Sequence, residues 1–287
     1  MAGDLHCHTK MSDGSMSIEN LILLAKKQGL TTISIADQDS AGALGRAQII
    51  GKRYGVDVLP GIEFSSTDPS TGREIHILCY LGEVLDRLAG LCHANVSKRK
   101  IAGMRMLSKL MQRFQVNEKL VEEYSKSSSC IYPQHLMHVL VECGYTDRIF
   151  GSLYEELFNP ESENNIYVTA HFPSPKDVID AIHQAGGVAV LAHPSVCEVC
   201  NMVDELLSYG LDGVEVFHTS NTRDDQKNLL ALAKSENILV TGGSDFRGIY
   251  SNPSVTMGQE QVNDAQINSL LTYKSRLRRA RRQTTAV

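Results

Sequence analysis

Short apolar runs recur along this chain, and most of them end in, or lead directly into, histidine or a carboxylate. They are Gly3–Cys7, Thr32–Ala36, Val56–Pro60, Ile75–Leu81, Val188–Leu191, Gly213–Phe217 and Ile238–Thr241. Runs this short and this apolar read as strands buried on both faces. Helix-like segments precede most of them. Ile18–Gln28, with Leu21, Leu24 and Ala25 on one face, stops at Gly29 before the second run. Pro175–Gln184, with Ser174 as its predicted N-cap, precedes the fifth. Met202–Tyr209 precedes the sixth, and Gln226–Ser235 the seventh. Strands alternating with helices predict an α/β parallel sheet, and this many units predict a closed or nearly closed barrel. Residues 86–165 break the alternation with helical patterns alone, notably Ser97–Phe114 and Gln134–Cys143. The expectation is a (β/α) barrel domain over 1–85 and 166–287, with an inserted helical lobe over 86–165.

Composition narrows the use of such a barrel. The chain is 42% hydrophobic and 21% charged, as a water-soluble globular protein would be. A formal net charge of −5 argues against coating nucleic acid by bulk charge, and no stable duplex binding is expected. A local basic pocket would still accept a nucleotide. The opening MAGDLHCHT lacks a basic or apolar leader pattern, and no stretch approaches the roughly 18 apolar residues of a membrane span. A cytoplasmic location without a membrane partner is therefore expected. Seven cysteines form no regular framework. Cys197-Glu-Val-Cys200 has the spacing of a zinc or redox pair, but a lone CxxC is a weak signal. Lys274–Arg282 carries six basic residues. It reads as a solvated helix end, with a phosphate- or RNA-contacting tail as the alternative.

The polar residues gather where the strands should stop. His6 and His8 close the first run, with Asp13 just beyond. Asp37, Gln38 and Asp39 follow the second, and Glu63 the third. His76 lies within the fourth. His193 follows the fifth, Glu215 and His218 lie at the sixth, and Asp245 follows the seventh. In a parallel barrel these ends share one face, where such folds place their sites. His6 and His8, one residue apart on a strand, point to the same side. Two imidazoles on one face suit a divalent transition metal, although an HxH alone could equally be a hydrogen-bonded polar pair. The full set of histidines and carboxylates would leave uncompensated charge in the barrel mouth, a cost that divalent cations remove. Such ions acidify a bound water and neutralise phosphoryl charge, and a carboxylate such as Glu63 can bridge two of them. Metal-dependent hydrolysis of a phosphate ester is the expected chemistry.

The segments DLHCHTKMSDGS, GLTTISIADQDS, LPGIEFS, IHILCYL, VAVLAHPS, GLDGVEVFH and TGGSDFRG resemble, in order, those of the polymerase-and-histidinol-phosphatase (PHP) superfamily. QHLMHVLVECGY is similar to a stretch in the branch that acts on nucleoside 3′,5′-bisphosphates and short RNA 5′ ends. The resemblance implies a distorted seven-stranded (β/α) barrel with a helical insertion. It implies one ion held by His6, His8, Glu63 and Asp245, and a second held by Glu63, His76 and His193. Manganese, iron and zinc all suit these ligands.

Two positions depart from the family pattern. Gln38 and Arg247 stand where histidines, together with the residue matched by Asp13, hold a third ion. Gln is a poor ligand, and Arg stays protonated. A dinuclear centre is therefore expected, with Asp13 and Asp37 as additional candidate ligands. Arg247 is expected to clamp substrate phosphate bidentately or to pair with Asp13. His218 is a candidate proton donor to the leaving oxygen or a substrate contact. Gln38, Lys98, Arg99 and His135 are further candidate substrate contacts. Glu215 is expected to orient a ligand, and His93, His138, His171 and His183 to be structural.

The leading expectation is an enzyme that hydrolyses a phosphomonoester on a nucleoside 3′,5′-bisphosphate or oligoribonucleotide end. The alternatives are a small-metabolite phosphatase of the histidinol-phosphate type, and a nucleotide-binding sensor with a degraded third site.

Overall fold

A computed structural model describes residues 2–195, 202–252 and 255–284. β1 (Ala2–Cys7), β2 (Thr32–Ile35) and the first part of β3 (Asp57–Thr67) lie parallel, with Gly3 beside Thr32 and Thr32 beside Asp57. α1 (Ile18–Lys27) and α2 (Leu44–Tyr54) make the crossovers. Ser17 caps α1 by accepting from the Asn20 N–H, and Gly29 leaves that helix at φ +76°. A side chain at that φ would be strained, so glycine is the fitting stop.

The fourth strand corrects the wholly parallel expectation. β4 (Glu74–Tyr80) runs antiparallel to β3, pairing Ser65 with His76 and Glu63 with Leu78. The cause is local. β3 continues to Thr67 instead of ending at Pro60, and only residues 68–73 separate it from β4. A link that short closes a hairpin but cannot make a parallel crossover. Asp68 seals the turn by accepting from the Ser70 and Thr71 N–H groups at 3.2 and 2.9 Å. The reversal has a functional consequence, because it brings the beginning of β4 to the face where the other strands end.

Four helices follow: α3 (Leu85–Met111), α4 (Glu118–Ser125), α5 (Pro133–Glu142) and α6 (Ser152–Phe158). They share a core of their own that includes Leu107, Leu110, Val121, Leu136 and Phe158. α7 (Pro175–Gln184), with a Ser174–Asp177 capping box, returns the chain to the sheet.

β5 (Val188–Leu191) is antiparallel to β4. α8 (Val203–Ser208), β6 (Gly213–His218), α9 (Arg223–Ser235) and β7 (Leu239–Gly243) then restore the parallel pattern. The ring nearly closes where β7 meets β1. The His8 N–H donates to the Phe246 carbonyl at 2.9 Å, and Cys7 bridges Phe246. The approach is so close that a Cβ on Gly243 would lie 2.4 Å from the His6 nitrogen. β8 (Val262–Asn263) lies antiparallel against Ala2 and Gly3 and leads into α10 (Asp264–Thr284). Among the described residues the result is a mixed, nearly closed seven-stranded barrel with a short eighth strand. No described helix is long and apolar enough to cross a membrane. Cys197 and Cys200 lie outside the described residues, as do the arginine side chains after Ser275. Lys274, at the start of that basic stretch, pairs with Glu83 at 3.4 Å.

Candidate metal centre

Glu63 is the hinge of the site. It is fully buried, and its two carboxylate oxygens face two different pairs of imidazoles. Oε1 lies 2.9 Å from His193 Nε2 and 3.0 Å from His76 Nδ1. Oε2 lies 3.4 Å from His8 Nε2 and 3.6 Å from His6 Nε2. Asp245 joins the second pair, with Oδ1 3.0 Å from His8 Nε2 and 3.5 Å from His6 Nε2. The ligand atoms of His6, His8 and Glu63 all fall within 4.8 Å of one another, and so do those of Glu63, His76 and His193. Residues from β1, β3, β4 and the ends of β5 and β7 thus make two half-sites that share one carboxylate.

Outer partners fix these rings. Glu215 on β6 takes His6 Nδ1 at 3.0 Å and also accepts from the His193 backbone N–H at 2.9 Å. Glu74 takes His76 Nε2 at 3.0 Å. Asp4 accepts from the Ser244 N–H at 2.9 Å and anchors the turn that carries Asp245. His193 and Asp245 sit at φ +26° and +55°. Non-glycine residues held there are strained, and such strain concentrates at functional sites.

The donor set fits cations. His6 Nε2, His8 Nε2, Glu63 Oε2 and Asp245 Oδ1 are buried without a hydrogen-bond partner. Leaving such atoms unsatisfied costs about 1–3 kcal/mol each. Electrostatics point the same way. Burial would push Glu63 up, but His76 and His6 hold it well below the usual carboxylate range. Burial also disfavours charge on His6, yet Glu215, Asp245 and Glu63 raise its pKa well above normal. The carboxylates draw protons onto the imidazoles, and divalent ions exchange for such protons.

The sequence pattern of the PHP domain matches residues 4–167. A phosphoribosyl 1,2-cyclic phosphate 1,2-diphosphodiesterase of Eggerthella lenta is 33% identical over 255 residues, 87% of this chain and 95% of that protein. The chain belongs to the PHP family. A 5′-3′ exoribonuclease of Haemophilus influenzae is 25% identical over 85% of this chain and 89% of its own length. A solved structure from Bifidobacterium adolescentis, described as a candidate metal-dependent phosphoesterase, superposes with a TM-score of 0.84. It is 27% identical and covers 94% of this chain and 95% of its own. The chain is therefore a PHP metal-dependent phosphoesterase, a hydrolase of phosphate esters.

The other residues singled out from sequence fall in distinct places around the PHP centre. Arg247 Nε donates to Asp13 Oδ2 at 2.6 Å, its NH1 pairs with Asp245, and its NH2 lies 3.9 Å from Glu63 Oε2. Burial would raise the Asp13 pKa, but Arg247 and His8 hold it far below the usual range. Asp37 accepts from the Thr9 N–H, the Thr9 hydroxyl and the Ser12 hydroxyl, each at 2.7 Å. Gln38 donates to Ser65 Oγ at 2.8 Å. His218 Nε2 is buried without a hydrogen-bond partner, 3.6 Å from Asp245 Oδ2. Lys98 is exposed on α3. His135 turns back into its own helix start, where Nδ1 accepts from the Tyr132 N–H at 3.2 Å, and burial lowers its pKa to about 4. His138 bonds the Tyr250 hydroxyl and His183 bonds Asp212, each at 2.8 Å.

Two cavities flank the centre. One of about 220 Å3 is lined by Asp13, Gln38, His76, Arg99, Tyr132 and Arg247, among others. The other, of about 340 Å3, includes Ser220, Asp245, Tyr250 and Asn252. Gln134 and Arg247 line both. Sequence reasoning missed Gln134, which reaches the mouth where His135 does not. It also missed Glu74, although Glu74-Ile-His76 has the same one-residue spacing as His6-Cys-His8.

Proposed function

We propose that this PHP protein hydrolyses a phosphomonoester on a ribose that carries more than one phosphate, such as a nucleoside 3′,5′-bisphosphate or a short oligoribonucleotide end. The observation that carries the reading is the division of Glu63, one oxygen toward His76 and His193 and the other toward His6 and His8. In this assignment His6, His8, Glu63 and Asp245 hold one divalent ion, and Glu63, His76 and His193 hold the second. Manganese, iron and zinc are the candidate metals. Bound ions would supply an acidified water and neutralise charge on the phosphoryl oxygens. The chain's own groups do the rest. His218, with Nε2 3.6 Å from Asp245 Oδ2, is our candidate proton donor to the leaving oxygen. Arg247 presents a permanent positive charge to both cavities and replaces a third ion beside Asp13. Lys98 and Gln38 remain candidate contacts for the distal part of the substrate. A count of three ions per chain would contradict the dinuclear assignment.

A cyclic ribose phosphate is the second reading. Two cavities meeting at Arg247 would seat groups on both sides of a scissile phosphodiester, and the Eggerthella lenta relative acts on such a bond. One panel separates the readings. The metal-loaded protein is assayed with adenosine 3′,5′-bisphosphate, a 5′-phosphorylated RNA trimer, a 5-phosphoribosyl cyclic phosphate and histidinol phosphate. Ribose substrates are expected to lead histidinol phosphate by roughly 10²-fold in kcat/KM, because buried polar groups penalise a ligand that leaves them unpaired. Equal or better turnover of histidinol phosphate would overturn the substrate class. Binding without turnover of any of them would mark a sensor. Location in the cytoplasm remains part of this reading.

A further inference from the structure

Arg99 was singled out from sequence as a substrate contact, but the structure gives its guanidinium other work. Arg99 lies on α3, outside the barrel strands, and its side chain is 14% exposed. It is held between two rings, with Cζ 5.4 Å from the Tyr132 centroid and 4.7 Å from that of Phe172. NH2 donates to Glu74 Oε1 at 3.2 Å, to Asp39 Oδ2 at 3.3 Å and to Ser65 Oγ. Glu74 Oε1 is the same oxygen that takes His76 Nε2 at 3.0 Å. The other ring nitrogen, Nδ1, is the one that faces Glu63.

The anchor behind Arg99 is built with equal care. Asp39 is fully buried at φ +52° and accepts from the Ser65 N–H at 3.0 Å and from Asn95 Nδ2 at 2.7 Å. Asn95 lies one helical turn before Arg99 on α3 and also donates to the Ser65 carbonyl at 2.9 Å. Two side chains of one lobe helix are thus locked into β3 and the β2 end.

We infer that Arg99 is a positioning residue for the second ion. It holds Glu74, Glu74 holds His76 Nε2, and His76 Nδ1 is thereby aimed at the half-site shared with Glu63 and His193. The inference rests on the metal assignment proposed above. Its physical basis is general: a carboxylate on the outer nitrogen of a ligating histidine fixes its tautomer and orientation and raises its basicity. Here the carboxylate is itself fixed by a cation from the helical lobe, so docking of the lobe and occupancy of one half-site are coupled. Nη2 is the nitrogen turned to these oxygens, and a KM readout separates positioning from a phosphate clamp, because Arg99 also lines the smaller cavity.

The test is metal binding without substrate. Apoprotein is titrated with manganese, and bound ions per chain and their affinities are read for wild type, Glu74→Gln, Arg99→Gln and Arg99→Lys. Glu74→Gln keeps the size of the side chain, so the result does not hang on the bulkier Arg99 variants folding. The expected result is one ion bound as in wild type and the other weakened by roughly 10–100-fold in Glu74→Gln and Arg99→Gln. Arg99→Lys should recover part of the loss. The KM measured at saturating metal should stay within a few-fold of wild type for Glu74→Gln. Wild-type affinity for both ions in Glu74→Gln and Arg99→Gln would overturn the inference, whether KM rises, as for a substrate clamp, or only thermal stability falls. A wild-type protein that binds fewer than two ions would instead sink the metal assignment on which the inference rests.

Discussion

Glu63→Gln is expected to lower kcat/KM by at least about 10³-fold, with both metal half-sites weakened together. Lewis-acid stabilisation by bound ions contributes several kcal/mol to such reactions, and about 4 kcal/mol corresponds to 10³ in rate. The expectation follows from the division of the carboxylate. Oε1 serves His76 and His193, while Oε2 serves His6 and His8. An amide keeps the shape but loses the charge, and its nitrogen can only donate, so at least one half-site loses its oxygen. Steady-state kinetics beside metal analysis check the prediction. A variant that loses only one ion and keeps more than a tenth of wild-type activity would contradict the shared role of Glu63.

Chelation is expected to have the second large effect, on stability as well as activity. An ion that binds only the native state at a hundred times its dissociation constant contributes about 2.7 kcal/mol. Two such ions place the drop in Tm on removal on the order of 10 °C for a chain of this size. The buried donors explain the direction of the effect. Protons taken up by His6 and His8 would offset only part of the loss, because Glu63 Oε2 and Asp245 Oδ1 are buried and lie 3.0–3.6 Å from the two Nε2 atoms. Calorimetry before chelation, after it, and after manganese is returned checks both the size and the reversibility. An unchanged Tm with lost activity would mean that the ions bind too weakly to be part of the folded framework.

What could be read from sequence depended on how local the physics was. The apolar runs became strands at β1, β2, β5, β6 and β7 because short buried strands need little but apolar side chains and a helix to carry the chain back. His6, His8, Glu63, His193 and Asp245 could be grouped because strand ends in such a fold share a face. The hairpin was harder to see. Ser65, Ser66 and Thr67 look like loop residues, yet they are buried in β3 opposite His76, Ile75 and Glu74. Without that hairpin, Glu74 has no reason to sit behind His76. His135 illustrates a different limit. Successive helical residues differ by about 100° in direction, so moving one position along α5 exchanges a side chain that folds back on Tyr132 for Gln134, which lines both cavities. Arg99 was legible as a polar lobe residue near the site, but its partners Asp39, Ser65 and Glu74 come from three separate segments that only the folded chain assembles.

The account turns on where cations lie, and anomalous diffraction from crystals of the manganese-loaded protein locates them directly. The predicted map has two peaks roughly 4 Å apart with the Glu63 carboxylate between them, one against His6, His8 and Asp245 and the other against His76 and His193. A fully loaded crystal with no peak beside Glu63 would contradict it.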